Sequence, residues 1–238
     1  MMFSFYSLKR ITTPEPDRYT GQEYHQMTDD RDVWDREYGR QGRLWAGTAP
    51  PLPDLPAGSR VLELGCGNGK TCSGFLVRGW DALALDFSPA ALRSARKFIP
   101  GSLQPSFILA DARSIPFRPA SCDAVIAFHV IGHMLERDRI AIVQESCRVL
   151  RDGGALLFAE FSISDLRSSS GSPAESGTVL RGSGIRTHYF TEEEVRSLFS
   201  MLDCLSMDTR SWNLRVRGQV FERSEVHAVF TKGQTGRS

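Results

Sequence analysis

The residues with the clearest chemical content are Glu63-Leu64-Gly65-Cys66-Gly67-Asn68-Gly69. They follow a short apolar run and precede a helical pattern. Three alternate glycines let the backbone turn sharply and approach a ligand closely. Three cofactor classes compete for such a loop. A loop that cradles a nucleoside triphosphate needs G-x-x-x-x-G-K-S/T. Gly69-Lys70-Thr71 supplies the second half, but the first glycine would fall at Leu64. A dinucleotide fingerprint needs G-x-G-x-x-G, and its third glycine would fall at Lys70, one residue after Gly69. The pattern that remains is E-x-G-x-G-x-G.

Two acids and two histidines stand at corresponding places further on. Asp86 ends the run DALALD and Asp111 ends SFILAD. A carboxylate at the first place can accept hydrogen bonds from both ribose hydroxyls of a nucleoside, each contributing about 1.5–3 kcal/mol because the acceptor is charged. The dinucleotide fold also puts its acid there, so Asp86 alone does not discriminate. His129 and His133 follow the run CDAVIAF and are the candidates for a general base, since a neutral imidazole suits that task at neutral pH. The alternative is that they orient the loop or cap the next helix.

The elements that must position these groups alternate between strand and helix. RVLEL (60–64), DALALD (81–86), SFILAD (106–111), CDAVIAFHV (122–130) and ALLFAEF (155–161) read as buried strands. Helices are expected over 70–78, after Ser88-Pro89, over 137–150 and over 192–201. Ser88 is the N-cap with Pro89 in the first turn, and Thr191 with Glu194 forms a capping box. Two last strands, 204–216 and 223–232, are close in sequence and so pair antiparallel. The expected architecture is α/β: a doubly wound, mostly parallel seven-stranded sheet with an antiparallel C-terminal hairpin and helices on both faces. PPLPDLPAGS (51–59) reads as a linker, which divides the chain into an N-terminal extension and cap segment (1–58) and a main domain (59–238). A short helix is expected within 31–45, after a poorly anchored segment 1–29. The Ser- and Gly-rich stretch 167–178 reads as a flexible loop or lid.

The order and spacing of these pieces carry a resemblance. VLELGCGNG resembles the first motif of class I S-adenosylmethionine-dependent methyltransferases, the family with the seven-stranded Rossmann-like fold. ILADARSIPF, CDAVIAFHVIGHM and RVLRDGGALLFAEF resemble its later motifs in the same order, over roughly residues 59–161 and more loosely to 232. The resemblance implies a cofactor, S-adenosyl-L-methionine, which carries no pyrophosphate. It assigns to that cofactor Glu63, Gly65, Cys66, Gly67, Asn68 and Gly69 in the loop, Asp86 and Phe87 at the ribose, Asp111 and Ala112 at the adenine, and Phe128 beside the methyl-transfer site. It also implies that an N-terminal helix closes over the cofactor, where Trp34, Tyr38, Arg43 and Trp45 supply aromatic and basic side chains; plain packing on the sheet is the other reading. His188 and Tyr189 are candidates to face substrate, and Phe190 to act as a hydrophobic staple.

Composition narrows the acceptor without naming it. The chain has 238 residues and a formal net charge of +1, so no global field draws it to nucleic acid or an anionic membrane. The five cysteines form no C-x-x-C pair and are odd in number, which argues against a disulfide framework or a zinc site. No apolar run approaches a membrane span, and the start lacks a signal-peptide pattern, so a cytoplasmic protein without metal is expected. A small-molecule acceptor is the first expectation. RNA is the second: Arg210, Arg215, Arg217 and Arg223 with Trp212 could track a phosphate backbone, and HYFTEEEV is similar to a segment of wobble-uridine tRNA methyltransferases. A protein acceptor and a cofactor-binding fold without activity are further alternatives.

Overall fold

The computed structural model describes residues 21–41, 51–99, 101, 104–216 and 218–234. Strands β1 (Arg60–Leu64), β2 (Asp81–Asp86), β3 (Ser106–Leu109), β4 (Cys122–Phe128), β5 (Leu150–Phe161), β9 (Asp203–Val216) and β10 (Gln219–Thr231) form one seven-stranded sheet in the order β3-β2-β1-β4-β5-β10-β9. β1 to β5 pair in parallel, and β10 is antiparallel to both β5 and β9. β4 is buried at every position, as its run of apolar residues requires of a central parallel strand. The order reverses between β1 and β4. A crevice therefore opens above their carboxyl ends, where open α/β sheets bind ligands.

Helices α2 (Lys70–Val77), α3 (Pro89–Phe98) and α4 (Glu136–Val149) connect the parallel strands. Two apolar clusters fill the space around the sheet. One is built on Leu62, Leu64, Val125 and Phe158, and the other on Val61, Phe75, Trp80 and Ile126. Ser88 caps α3 by accepting a hydrogen bond from the Ala91 amide, with Pro89 in the first turn. Thr191 caps α5 (Glu192–Leu198) through the Glu194 amide. The Glu194 carboxylate, expected to reach back to the cap, accepts instead from His188 Nε2 at 2.7 Å.

β3 ends at Leu109 rather than the expected 111, α5 at Leu198 rather than 201, and β10 begins at Gln219 rather than 223; three other segments differ more from the sequence expectation. The fifth strand begins at Leu150, not at 155, because Gly153 and Gly154 exchange backbone hydrogen bonds with Lys232. The stretch 167–178 is not a plain loop. It contributes to a three-stranded antiparallel sheet of β6 (Ser172–Glu175), β7 (Thr178–Leu180) and β8 (Arg186–His188), anchored where Glu175 accepts a hydrogen bond from Arg139 at 2.5 Å. The N-terminal helix α1 runs from Gly21 to Gln41, longer than expected. Its Asp35 accepts from Ser88 Oγ at 2.8 Å and from the Ala90 amide at 2.7 Å. A carboxylate thus sits at the N-terminus of α3, where the helix dipole favours it, and fixes α1 over the crevice. Asp30 pairs with Arg186 and ties the same helix to β8. No described helix is long and apolar enough to cross a membrane.

Candidate functional site

A cavity of about 620 Å³ lies above the carboxyl ends of β1, β2 and β4. The glycine loop forms its floor. Gly65, Gly67 and Gly69 all have positive φ, at 61°, 52° and 77°. A side chain at Gly67 would run into the Tyr38 hydroxyl, and one at Gly65 would lie 2.7 Å from Val130 Cγ2. The loop is held by Asp86. Its Oδ2 accepts from the Gly67 amide at 2.9 Å and its Oδ1 accepts from the Ser88 amide at 2.9 Å. Burial pushes the Asp86 carboxyl up to about 6, against the pull of those amides.

Glu63 lies beneath the loop and accepts from the Cys72 thiol at 2.7 Å. Burial raises its carboxyl to about 7. Burial, reinforced by the charges of Asp86 and Glu63, also raises the Cys66 thiol, which therefore stays protonated and inert. Asn68 lines the cavity, and its Nδ2 is buried without a hydrogen-bond partner among the described residues. An orphaned buried donor beside a glycine cradle fits a polar ligand group in contact with the loop.

The third strand end is more elaborate than the sequence suggested. Asp111 lines the cavity but is engaged by Arg113, whose Nη2 and Nε donate to its two oxygens at 2.7 and 3.0 Å. Arg113 also pairs with Asp138 on α4 at 3.1 Å. Asp111 Oδ1 also accepts from the Arg113 amide at 2.8 Å, so Oδ2 is the oxygen that keeps a lone pair for a further donor. Ala112, Phe87 and Phe128 line the same wall, as Trp34 and Tyr38 do from α1. Arg43 and Trp45 lie outside the described residues.

Beyond β4 the cavity turns polar. His129 has φ of 52°, unusual for a residue with a side chain. Its Nε2 is 3.3 Å from Glu225 Oε1, and its Nδ1 is 3.8 Å from Glu160 Oε2. Glu225 is also 3.1 Å from His227 Nε2. Burial would raise the Glu225 carboxyl, but the two histidines outweigh it and pull it down to about 2. Glu160 accepts from the Gly132 amide at 2.8 Å, and burial raises it to about 7. Glu160, Glu225 and His227 were missed in the sequence. His133 hydrogen-bonds the Arg186 carbonyl through Nδ1 at 2.7 Å, which places its proton there. Its Nε2 is buried and without a partner among the described residues, and burial lowers the ring to about 4.

His188 and Tyr189 do not line this cavity. His188 is 2% exposed, with its ring nitrogens on Thr178 and Glu194 and its edge on Phe190. It joins the small sheet to α5. Tyr189 is equally buried, and its hydroxyl meets Arg181. Both are drawn inward because the β8 segment packs on the core. Of the arginines considered for RNA, Arg210 and Arg223 line the cavity with Trp212, Arg215 is exposed elsewhere, and Arg217 lies outside the described residues. Among the described residues no group of His, Cys, Asp and Glu is arranged to hold a metal ion.

Fold and site together define an enzyme that binds a nucleoside cofactor on a Rossmann-like sheet. Residues 62–158 match the family described as "Methyltransferase domain". The chain is 31% identical over 236 residues to the tRNA N(3)-methylcytidine methyltransferase Mettl2 of Drosophila melanogaster, covering 87% of this chain and 72% of that one. It is 33% identical over 120 residues to the demethylmenaquinone methyltransferase of Clavibacter sepedonicus, covering 50% of this chain and 48% of that protein. Among solved structures, a SAM-dependent methyltransferase of Methanosarcina mazei superposes with a TM-score of 0.63 at 23% identity, over 76% of this chain and 95% of that one. The chain belongs to the class I S-adenosylmethionine-dependent methyltransferases. Its cofactor is S-adenosyl-L-methionine.

Proposed function

We propose that this enzyme methylates a nucleotide base in tRNA. The observation that carries the reading is the reach of the similarity to the fly tRNA enzyme. At 87% of the chain it extends well beyond residues 62–158, which the family model matches, and the acceptor half of the cavity is walled by β5, β9 and β10. Those segments suit a nucleotide. Trp212 offers an aromatic face, and the Arg223 guanidinium lies 5.6 Å from its ring centre. Base stacking on such a face contributes about 1–3 kcal/mol per base.

The cofactor supplies a methyl group on a cationic sulfur, which leaves as a neutral thioether and needs no proton. Asp86 would grip the ribose, Asp111 and Ala112 would meet the adenine, and Asn68 with the loop amides would receive the amino-acid end. Trp34 and Tyr38 exclude water from above. Positioning of this kind is worth about 7–11 kcal/mol in favourable cases. A ring nitrogen with a free lone pair needs no base. Where the acceptor must shed a proton, His129 beside Glu225 would take it, and His133 Nε2 would accept a hydrogen bond from the substrate. A reducing, cytoplasmic setting is supported by five free cysteines, four of them buried.

Incubation with isotopically labelled methyl donor and total tRNA, followed by nucleoside mass spectrometry, tests the proposal. A labelled nucleoside is expected. Label found only in the small-molecule fraction of a cell extract would overturn it in favour of a small-molecule acceptor. That second reading is supported by the net charge of +1 and by the similarity to the demethylmenaquinone methyltransferase.

A further inference from the structure

Beside the acceptor half of the cavity, two guanidinium groups share one carboxylate and a third lies close by. Asp165 is fully buried. It accepts from Arg223 Nε at 2.6 Å and from Arg167 Nε at 3.2 Å. Both guanidiniums also lie over the Phe161 ring, at 4.3 Å for Arg167 and 4.9 Å for Arg223. Arg181 reaches the same place from the small sheet. It donates to Thr187 Oγ1 at 3.1 Å and to the Tyr189 hydroxyl, and no carboxylate pairs with it among the described residues. Arg167 Nη2 is buried without a partner among the described residues. Burial and the nearby Arg223 both make Arg167 a weaker base than usual, as expected where positive charges crowd.

Such an arrangement is unfavourable as it stands. Neutral hydroxyls and aromatic faces offset only part of the desolvation of a guanidinium, and like charges close together repel. An anion with several oxygens would relieve both, and planar guanidiniums match phosphate oxygens in pairs. Arg223 and Phe161 line the cavity itself, so the anion would sit at the edge of the acceptor pocket.

We propose that Arg167, Arg181 and Arg223 form a phosphate subsite that seats a phosphodiester flanking the acceptor base. The proposal rests on the tRNA reading only for what carries the phosphate. The test uses the full-length enzyme with Arg167→Gln, Arg181→Ala and Arg181→Lys, each compared with wild type by thermal melt. With tRNA, Arg167→Gln and Arg181→Ala should each raise KM about tenfold. Each should also reduce the slope of log affinity against log salt by about one, whereas Arg181→Lys keeps most of the slope. Inorganic pyrophosphate should bind wild type by calorimetry and fail to bind the double variant Arg167→Gln/Arg181→Ala. If tRNA gains no methyl group but pyrophosphate binds in this residue-dependent way, the subsite stands and the tRNA reading falls. If tRNA is methylated with KM and salt slope unchanged in both variants, the subsite falls and the tRNA reading stands. Absence of pyrophosphate binding to the wild type also overturns the subsite.

Discussion

The Gly67 amide donates to Oδ2 of Asp86 at 2.9 Å, so the glycine loop and the acid at the end of the second strand are one unit. The carboxylate that would grip a ribose also fixes the turn that would receive the rest of the cofactor. Replacing either residue should therefore disturb both halves of the site.

Gly67→Ala tests the turn. Alanine at φ of 52° is strained by about 1 kcal/mol, and its methyl group would strike the Tyr38 hydroxyl. Tyr38 is 8% exposed and cannot swing away freely. S-adenosylhomocysteine should bind at least tenfold more weakly. In a Tyr38→Phe background the loss should shrink, giving a coupling of about 0.5–3 kcal/mol in a double-mutant cycle. Equal losses in both backgrounds would show that Tyr38 does not press on the loop.

Arg113→Ala tests the pairing behind the adenine wall. The guanidinium is 4% exposed and bridges Asp111 and Asp138. Its removal leaves Asp111 without an ion partner and Asp138 with only the exposed Arg137 at 3.7 Å, which costs about 3–5 kcal/mol. Thermal denaturation should show Tm lower by roughly 10 °C. A change of a degree or less would mean that water compensates the acids.

His133→Asn tests the buried imidazole through pH. The folded ring titrates at about 4 against 6.5 when exposed. As pH falls below 6.5 the unfolded chain takes up the proton first. Stability from this group is therefore complete above pH 6.5 and is lost progressively between 6.5 and 4. Glu63 and Glu160, raised to about 7 from 4.5, act in the opposite sense: they destabilise the fold at neutral pH and cease to do so as they protonate. The difference between wild type and His133→Asn isolates the histidine. By urea denaturation it should shift by roughly 3 kcal/mol in favour of the variant from pH 7 to pH 4. A difference independent of pH would mean that the ring is not held neutral.

The sequence made the cofactor half of the site legible and the acceptor half much less so. Gly65, Gly67, Gly69, Asp86 and Asp111 sit at the ends of consecutive parallel strands, so local pattern and spacing locate them. Glu160 meets His129 across the β4–β5 pairing, but Glu225, with His227 beside it, does so only because β10 inserts between β5 and β9, a pairing between distant segments that no local pattern specifies. A signal existed in the alternation of Arg223, Glu225 and His227 with buried Ser224, Val226 and Ala228, which marks one polar face of a strand. The small sheet was hidden for another reason. Ser172–Glu175 has little apolar content and is ordered by polar contacts to Arg139 and Thr178. His188 looked like a substrate ligand because its sequence neighbours are polar or aromatic, yet all its polar capacity is used inside the protein.

The most direct test of the whole account is calorimetry of S-adenosylhomocysteine on wild type, Asp86→Asn and Asp86→Ala. Loss of a charged acceptor for two hydroxyls predicts binding weaker by about 100-fold or more in the alanine variant, with the asparagine variant between it and wild type. Wild-type affinity should also fall as pH drops through about 6, where Asp86 takes up its proton. An alanine variant that stays folded and binds the nucleoside as tightly as wild type would contradict the placement of the cofactor.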